Sequence, residues 1–495
     1  MSGPVGPQEK FGVYVISIIG VSIQKLRDDA RYADISPDGS QIVFADYNTK
    51  DLWVMNADGS QSRSFLKPEP GVQLYQPTWS PNGRRIFYVK YHEENGKPTI
   101  LLESRNADAS DPVLLLSNGN LVSYSRAQPG RLVLAMSEPP PNQRSSNLWE
   151  IRYDPSTGKP EGPERRLTDW PEYRFSRISM TADGKTLAFL YLKWLSNVYI
   201  GKLGPNATTM EQPQGLTANQ RKNWATAWTS DGKSVLYYSD MAGGSFDLYR
   251  QAIDSHNPEK LTSGPDDKWA PQLSPDGKWI LYLSWPKPAP GADPPPGKLV
   301  RMPASGGPSE FVADLKGHPF AGTTRGGFPT FNCPRTGTNC VLAELTGENQ
   351  ITFTSIDPSA GRRNEITKFA GDPYYTSWNI SPDGSQIAVN TFDYKTGDLQ
   401  IIPVNGGAPQ KFSLLPVQEL GPIAFTPDGK SFYIGSFSSR GSTLYRYDPG
   451  KTPTALWKSV WDIEHLVSSP DGQHLAIAPD IYDANAWIIP NFPAR

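Results

Sequence analysis

Cysteine is nearly missing from this chain of 495 residues: Cys333 and Cys340 are the only two. That excludes a disulfide-dense scaffold and any four-cysteine metal cluster. Histidine is scarce as well. His92, His256, His318, His465 and His474 are scattered one to a repeat or fewer, which suits surface or satisfied core positions and gives no metal set. Neither charge sign is in excess, with 48 Lys and Arg against 50 Asp and Glu, a net charge of −2 and a pI near 6.3. Without a basic field to meet a phosphate backbone, nucleic-acid binding is disfavoured. No long apolar run exists. Phe11–Ile23, preceded by Lys10, is the one candidate targeting segment. It is broken by Ser17, Gly20 and Ser22, lacks a small-residue cleavage site and is too short to span a bilayer. No stretch of about ten residues carries a helical apolar stripe. Catalytic signatures are missing too: no Gly-x-Ser-x-Gly elbow, phosphate loop, His-Glu-x-x-His or protein-kinase set occurs, so no catalytic residue, metal or cofactor is expected.

What the chain has is punctuation, with 44 Gly and 48 Pro. Eight copies of one tetrapeptide recur: Ser36-Pro37-Asp38-Gly39, Ser80-Pro81-Asn82-Gly83, Thr181-Ala182-Asp183-Gly184, Thr229-Ser230-Asp231-Gly232, Ser274-Pro275-Asp276-Gly277, Ser381-Pro382-Asp383-Gly384, Thr426-Pro427-Asp428-Gly429 and Ser469-Pro470-Asp471-Gly472. Proline pre-sets φ, Ser/Thr and Asp hydrogen-bond the turn, and Gly takes the positive φ, so each copy is a tight hairpin turn. From one Asp/Asn to the next the steps are 44, 101, 48, 45, 107, 45 and 43 residues. A period of this size in an all-strand repeat means propeller blades.

Flanking each turn are β-branched and aromatic runs such as Ile42-Val43-Phe44, Val235-Leu236-Tyr237-Tyr238 and Ile280-Leu281-Tyr282-Leu283. A third strand follows about ten residues on (Leu52-Trp53-Val54-Met55, Val198-Tyr199-Ile200, Leu248-Tyr249-Arg250), then a fourth, such as Lys260-Leu261-Thr262. Each double step hides a degenerate copy, at Ser123-Tyr124-Ser125 with Arg131–Leu134 and at Phe331-Asn332-Cys333 with Cys340-Val341-Leu342. The expected fold is therefore an all-β propeller of about ten four-stranded antiparallel blades. Ten exceeds the usual four to eight per ring, so one large ring and two smaller rings both fit. Residues 1–26 read as a partial blade holding third- and fourth-strand material, and 27–495 as the repeats, with no linker marking an internal boundary. The chain ends on a third strand, Ala486-Trp487-Ile488-Ile489, with no fourth, so Gln24–Leu26 is a candidate to complete that last blade. This leaves one third strand surplus, which either frays or marks a chain cut from a longer protein, the reading favoured here.

Three features are candidates for function. The turn Asp residues resemble a carboxylate ring, but turn chemistry accounts for each. Tyr75, Trp224 and Trp269 each stand seven residues before a turn Asp/Asn, where the chain enters the innermost strand. They fit inter-blade packing or an aromatic collar gripping a peptide or glycan. Cys333 and Cys340 flank a hairpin tip and fit either two buried thiols or a cross-strand disulfide, which would imply an oxidising compartment. The Pro-rich stretch Pro286–Gly297 reads as a stiff exposed loop, with a polyproline recognition site as the alternative.

The Ser-Pro-Asp-Gly repeats, spread over essentially the whole chain, resemble the TolB-like, WD-repeat-like propellers. Narrower stretches (Gly264–Trp279, Met302–Pro308, Cys333–Cys340 and Asn485–Ile489) resemble the C-terminal sensor-type propeller of eukaryote-like serine/threonine kinases and winged-helix regulators of acidobacteria. The catalytic or DNA-binding module that precedes such propellers has no counterpart here. The resemblance implies a non-catalytic scaffold in a periplasmic or extracytoplasmic setting, holding a protein, peptide or cell-envelope ligand as the sensor of a truncated or split signalling protein. An accessory or degenerate propeller of a serine-peptidase system is the alternative.

Overall fold

The computed structural model describes all residues except 1, 4–11, 17–22, 95–96, 140–144, 171–173, 182, 220, 288–294, 317–328, 348, 373–375, 392–397, 415–416, 418, 439–440 and 493–495. Among the described residues the structure is strand throughout, apart from one 3-10 turn at Pro205–Ala207, and no helix is long and apolar enough to cross a membrane. The chain divides into two compact units, Met1–Lys193 with Asp483–Arg495, and Trp194–Tyr482.

The first unit contains four antiparallel sheets and part of a fifth. Three are complete blades, beginning at Ala30–Ile35, Val72–Trp79 and Leu121–Arg126. The N-terminal sheet has Ser2–Gly3, Gly12–Ile16 and Ile23–Asp28. The fifth joins Arg174–Met180 and Leu187–Ser196 to the C-terminal end of the strand His474–Ile489. Tyr191 and Trp487 meet edge to face at 6.1 Å there, and the Phe492 amide donates to the Lys185 carbonyl.

The second unit is a closed ring of six blades. Their innermost strands are Asn223–Trp228, Asp267–Leu273, Thr330–Asn332, Thr376–Ile380, Leu420–Phe425 and Asp462–Ser468. Each blade packs on the next, and the sixth returns to the first. Because a strand alternates its side chains, one row of each sheet enters the inter-blade core. Phe353 and Trp378 show the result: both are buried and meet at 5.1 Å, a T-shaped pair between neighbouring blades. Burying each such ring stabilises by about 1.5–3 kcal/mol, with about 0.5–1.5 more for the pair.

The ring is completed by an exchange that differs from the expected one. Gln24 and Lys25 pair with Val15 and Tyr14 in their own hairpin, so Gln24–Leu26 does not supply the last blade. Instead Tyr199–Lys202 pairs with His474–Ile477, and Gln214–Gly215 forms the outer edge. The segment read as the third strand after the turn at Thr181 thus serves the turn at Ser469. The segment read as the last blade's third strand, Ala486–Ile489, lies beside Leu187–Ser196.

The turns have the expected chemistry. Ser36 Oγ donates to Asp38 at 2.6 Å, Asp38 accepts from the Ser40 amide at 3.0 Å, and the Gln41 amide donates to Ser36 Oγ at 2.9 Å. The same set recurs at Ser274, Ser381, Thr426 and Ser469. These carboxylates are engaged within their own turns. The turn glycine has a second role besides its positive φ. A Cβ on Gly472 would stand 3.2 Å from Pro427, and one on Gly429 would stand 3.5 Å from Pro382, so successive turns stack Pro on Gly around the ring.

Candidate functional site: the channel of the second unit

The innermost strands of all six blades enclose a cavity of about 480 Å³. Its wall follows from alternation along those strands. In Thr376–Ile380, Thr376, Trp378 and Ile380 are buried between blades, while Ser377 and Asn379 are half-buried on the channel side. Asn332 takes the matching place on the preceding blade. The side chains of Asn332, Ser377 and Asn379 hydrogen-bond to no other described residue, although each can donate and accept. The first two blades are stitched together: Thr226 Oγ1 donates to the Pro271 carbonyl and Gln272 Nε2 to the Thr226 carbonyl, both at 2.7 Å. Pro422 and Ile423 make the fifth wall apolar.

The turn end of the channel is crossed by one side chain. A disulfide joins Cys333 to Cys340 and closes the hairpin that replaces the turn motif in the third blade. Its tip docks on the next blade, with the Arg335 and Thr336 amides donating to the Pro382 carbonyl at 2.9 and 3.0 Å. Pro334 stands 3.1 Å from where a Gly384 Cβ would lie, so it takes the stacking place of a turn proline. Thus anchored, Arg335 reaches the sixth blade, three blades away in either direction. Its Nη2 donates to the Ser468 carbonyl at 2.6 Å and to Ser468 Oγ at 3.0 Å, and Nη1 points to the Pro470 carbonyl at 3.4 Å. No carboxylate among the described residues lies within ion-pair distance, and Nε has no acceptor. Burial pushes this guanidinium below its ordinary pKa, opposed by the more distant charge of Asp471.

His465 lines the same space, and burial lowers its pKa to about 4. Its ring lies 6.1 Å from Trp224 and 6.4 Å from Tyr238, so it is a neutral member of an aromatic wall at ordinary pH.

The proposed collar residues do not share one unit: Tyr75 lies in the first, Trp224 and Trp269 in the second. Trp224 is only 6% exposed, donates its indole N–H to Asp480 at 3.1 Å and packs on Phe246 at 5.7 Å. Trp269 meets Phe246 at 6.2 Å and Trp285 at 5.6 Å. Tyr75 packs 6.2 Å from Tyr32, and burial raises its phenol to about 12. A β-bulge follows Tyr75 and Trp269, with positive φ at Gln76 and Ala270, and turns these aromatics between blades. Much of the Pro-rich stretch, and His318, lie outside the described residues. Sequence reasoning gave no functional place to Arg335, Asn332, Ser377 or Asn379, and its reading of His465 as a core histidine agrees with the buried ring. The polar-apolar alternation Ser377-Trp378-Asn379-Ile380 was the available sign of a wet inner face.

Four-stranded antiparallel sheets around a central channel define a β-propeller protein. Within that class, short stretches of its repeats are similar to TolB proteins. Over 79 residues the chain is 33% identical to the Tol-Pal system protein TolB of Bordetella avium (strain 197N), covering 16% of this chain and 17% of that protein. Over 50 residues it is 46% identical to the same-named protein of Albidiferax ferrireducens (strain ATCC BAA-621 / DSM 15236 / T118), covering 10% and 11%. The matches thus span less than a fifth of either relative's length. No family model matches. Among solved structures, TolB from Acinetobacter baumannii is 15% identical with a TM-score of 0.37, covering 72% of this chain and 82% of that one. The tricorn protease is 13% identical with a TM-score of 0.27, covering 93% and 49%.

Proposed function

We infer that this protein is a non-catalytic binding scaffold whose second unit receives a peptide, or a segment of a protein partner, in its channel. The observation that carries this reading is the wall itself: a cavity of about 480 Å³ whose facing Asn332, Ser377 and Asn379 are uncommitted. Ligand sites of this size combine apolar wall with a few convergent polar groups, as here. The sequence offers no nucleophile elbow, so the channel is read as a receptor and not as the gate of a peptidase. The Cys333–Cys340 bond favours an oxidising compartment, in keeping with a cell-envelope ligand. The sensor of a split signalling protein is the narrower form of this reading; a kinase or winged-helix gene ending just upstream would support it, and an envelope-transport gene cluster would point to a TolB-like scaffold.

Selection of displayed peptides on the full chain tests the proposal. Peptides enriched on the wild type should lose binding by at least about tenfold on Ser377→Trp, which fills the channel. Equal binding to that variant would remove the channel from the function. Covalent labelling by a fluorophosphonate probe would instead favour the peptidase-related alternative.

A further inference from the structure

Arg335 is held in place by features that a mere surface arginine lacks. The Cys333–Cys340 bond closes its hairpin, two amides fix the hairpin tip to Pro382, and Pro334 seats it against Gly384. The guanidinium then ends inside the channel on carbonyl and hydroxyl oxygens, which orient it without neutralising it. Placing a cation away from water without a counter-ion is costly, and its charge is then available to an incoming anion. Two carboxylates also border the cavity. Asp276 is engaged by the Ser274 hydroxyl at 2.5 Å and the Lys278 amide at 3.1 Å. Glu464 lies four residues before Ser468 on the sixth blade's inner strand, about 13 Å along it from the Arg335 contact. Arg335 is the one Lys or Arg among the described residues that line the cavity, with the Asp471 charge more distant, and the uncommitted amides and hydroxyl of Asn332, Ser377 and Asn379 line the way to it.

We propose that the channel recognises a carboxylate, which enters past Asn379, Ser377 and Asn332 and pairs with Arg335. This rests on the reading of the channel as a binding site and adds the chemistry that it selects. A carboxylate is the planar anion that an arginine N–H fork suits best among groups a peptide can offer. Its source is either an acidic residue or C-terminus of a peptide, or a small free acid.

The test is thermal unfolding of the full chain in 10 mM probe at matched ionic strength. The probes are succinate, the neutral succinamide and acetylated tri-glutamate, each applied to wild type, Arg335→Met and Ser377→Trp. The expected result is a rise of about 2–4 °C in the wild type with succinate or tri-glutamate and none with succinamide. That rise should be lost in Arg335→Met and in Ser377→Trp. A shift with succinate assigns a free acid as sufficient, and a shift with tri-glutamate alone assigns a peptide. No shift in the wild type with either acid overturns the proposal, as does an equal shift in Arg335→Met. Should Arg335→Met fail to fold, Arg335→Gln replaces it, and an undiminished shift in Ser377→Trp is by itself decisive against the channel. Selected peptides that bind wild type and Arg335→Met alike would overturn carboxylate recognition and leave the peptide reading standing. Acid-dependent stabilisation through Arg335 with no peptide ever selected would do the reverse.

Discussion

Arg126 and Arg335 occupy similar posts in the two units, and only Arg126 has an ion-pair partner among the described residues. Arg126 ends an innermost strand of the first unit, reaches past the neighbouring blade and pairs with Asp34 at 3.0 Å. It also donates to the Trp79 carbonyl at 3.1 Å, while the Trp79 amide donates to the same Asp34 oxygen at 2.8 Å. Burial raises the Asp34 pKa, and the Arg126 charge opposes that rise. Arg335 crosses the second unit's channel to two carbonyls and the Ser468 hydroxyl. The difference teaches how to separate an arginine that holds blades together from one kept for a ligand: the first is closed by the chain's own carboxylate, the second is only aimed by it.

The largest expected break in this comparison comes from Arg126→Met. It strands Asp34 partly buried and should cost about 3 kcal/mol of the first unit's stability, read from urea denaturation. Arg335→Met should change the second unit by less than about 1 kcal/mol, since no buried carboxylate is left behind. Near-equal losses would abolish the distinction. Next in size is the hairpin that aims Arg335. Its cysteines are seven residues apart, and a loop that short predicts a loss of about 2 kcal/mol when both are changed to Ala. Thermal melts with and without reductant should differ in the wild type and coincide in the double variant.

A pH series sharpens the comparison from the channel side. The His465 pKa is depressed to about 4, so unfolding below the ordinary histidine value of 6.5 takes up a proton that the folded state refuses. The stability tied to its neutral ring is fully present above pH 6.5 and is lost as pH falls through about 4. Unfolding free energies measured between pH 7 and 4 should decline less steeply in His465→Phe. An identical decline would mean that the ring is already open to water. The smallest expected effect is at the bulge. Ala270 has a φ of +52°, which glycine adopts without strain, so Ala270→Gly should raise stability by up to about 1 kcal/mol in chemical denaturation.

The blades were legible because their signals are local. Ser36 through Gln41 make their turn with neighbours no more than five residues away, so composition and order specify it. Even the degenerate copies declared themselves, since Phe331-Asn332 and Val341-Leu342 pair in the expected hairpin. Partner choice was not legible. Val198-Tyr199-Ile200 has the same β-rich composition whether it serves the nearest turn or one more than two hundred residues later, and no residue in it records which. The bulge escaped for a related reason: Pro271 and Pro77 mark a break in pairing, but the shift shows only against the partner strand. Arg335 lay in plain view within a hairpin tip. Its meaning depends on Ser468 and Pro470, which the sequence keeps more than a hundred residues away.

The exchange of strands near the unit boundary also sets a timetable for a chain made from its N-terminus. Tyr199–Lys202 cannot be matched until His474–Ile477 has been synthesised, and the inner part of Leu187–Ser196 waits equally long for the residues that follow Tyr482. At roughly 5–20 residues per second, that interval is on the order of a quarter of a minute to a minute. Throughout it, two strand edges present unpaired amides and carbonyls. Whatever shields nascent sheet edges must therefore hold this chain until His474–Ile489 emerges.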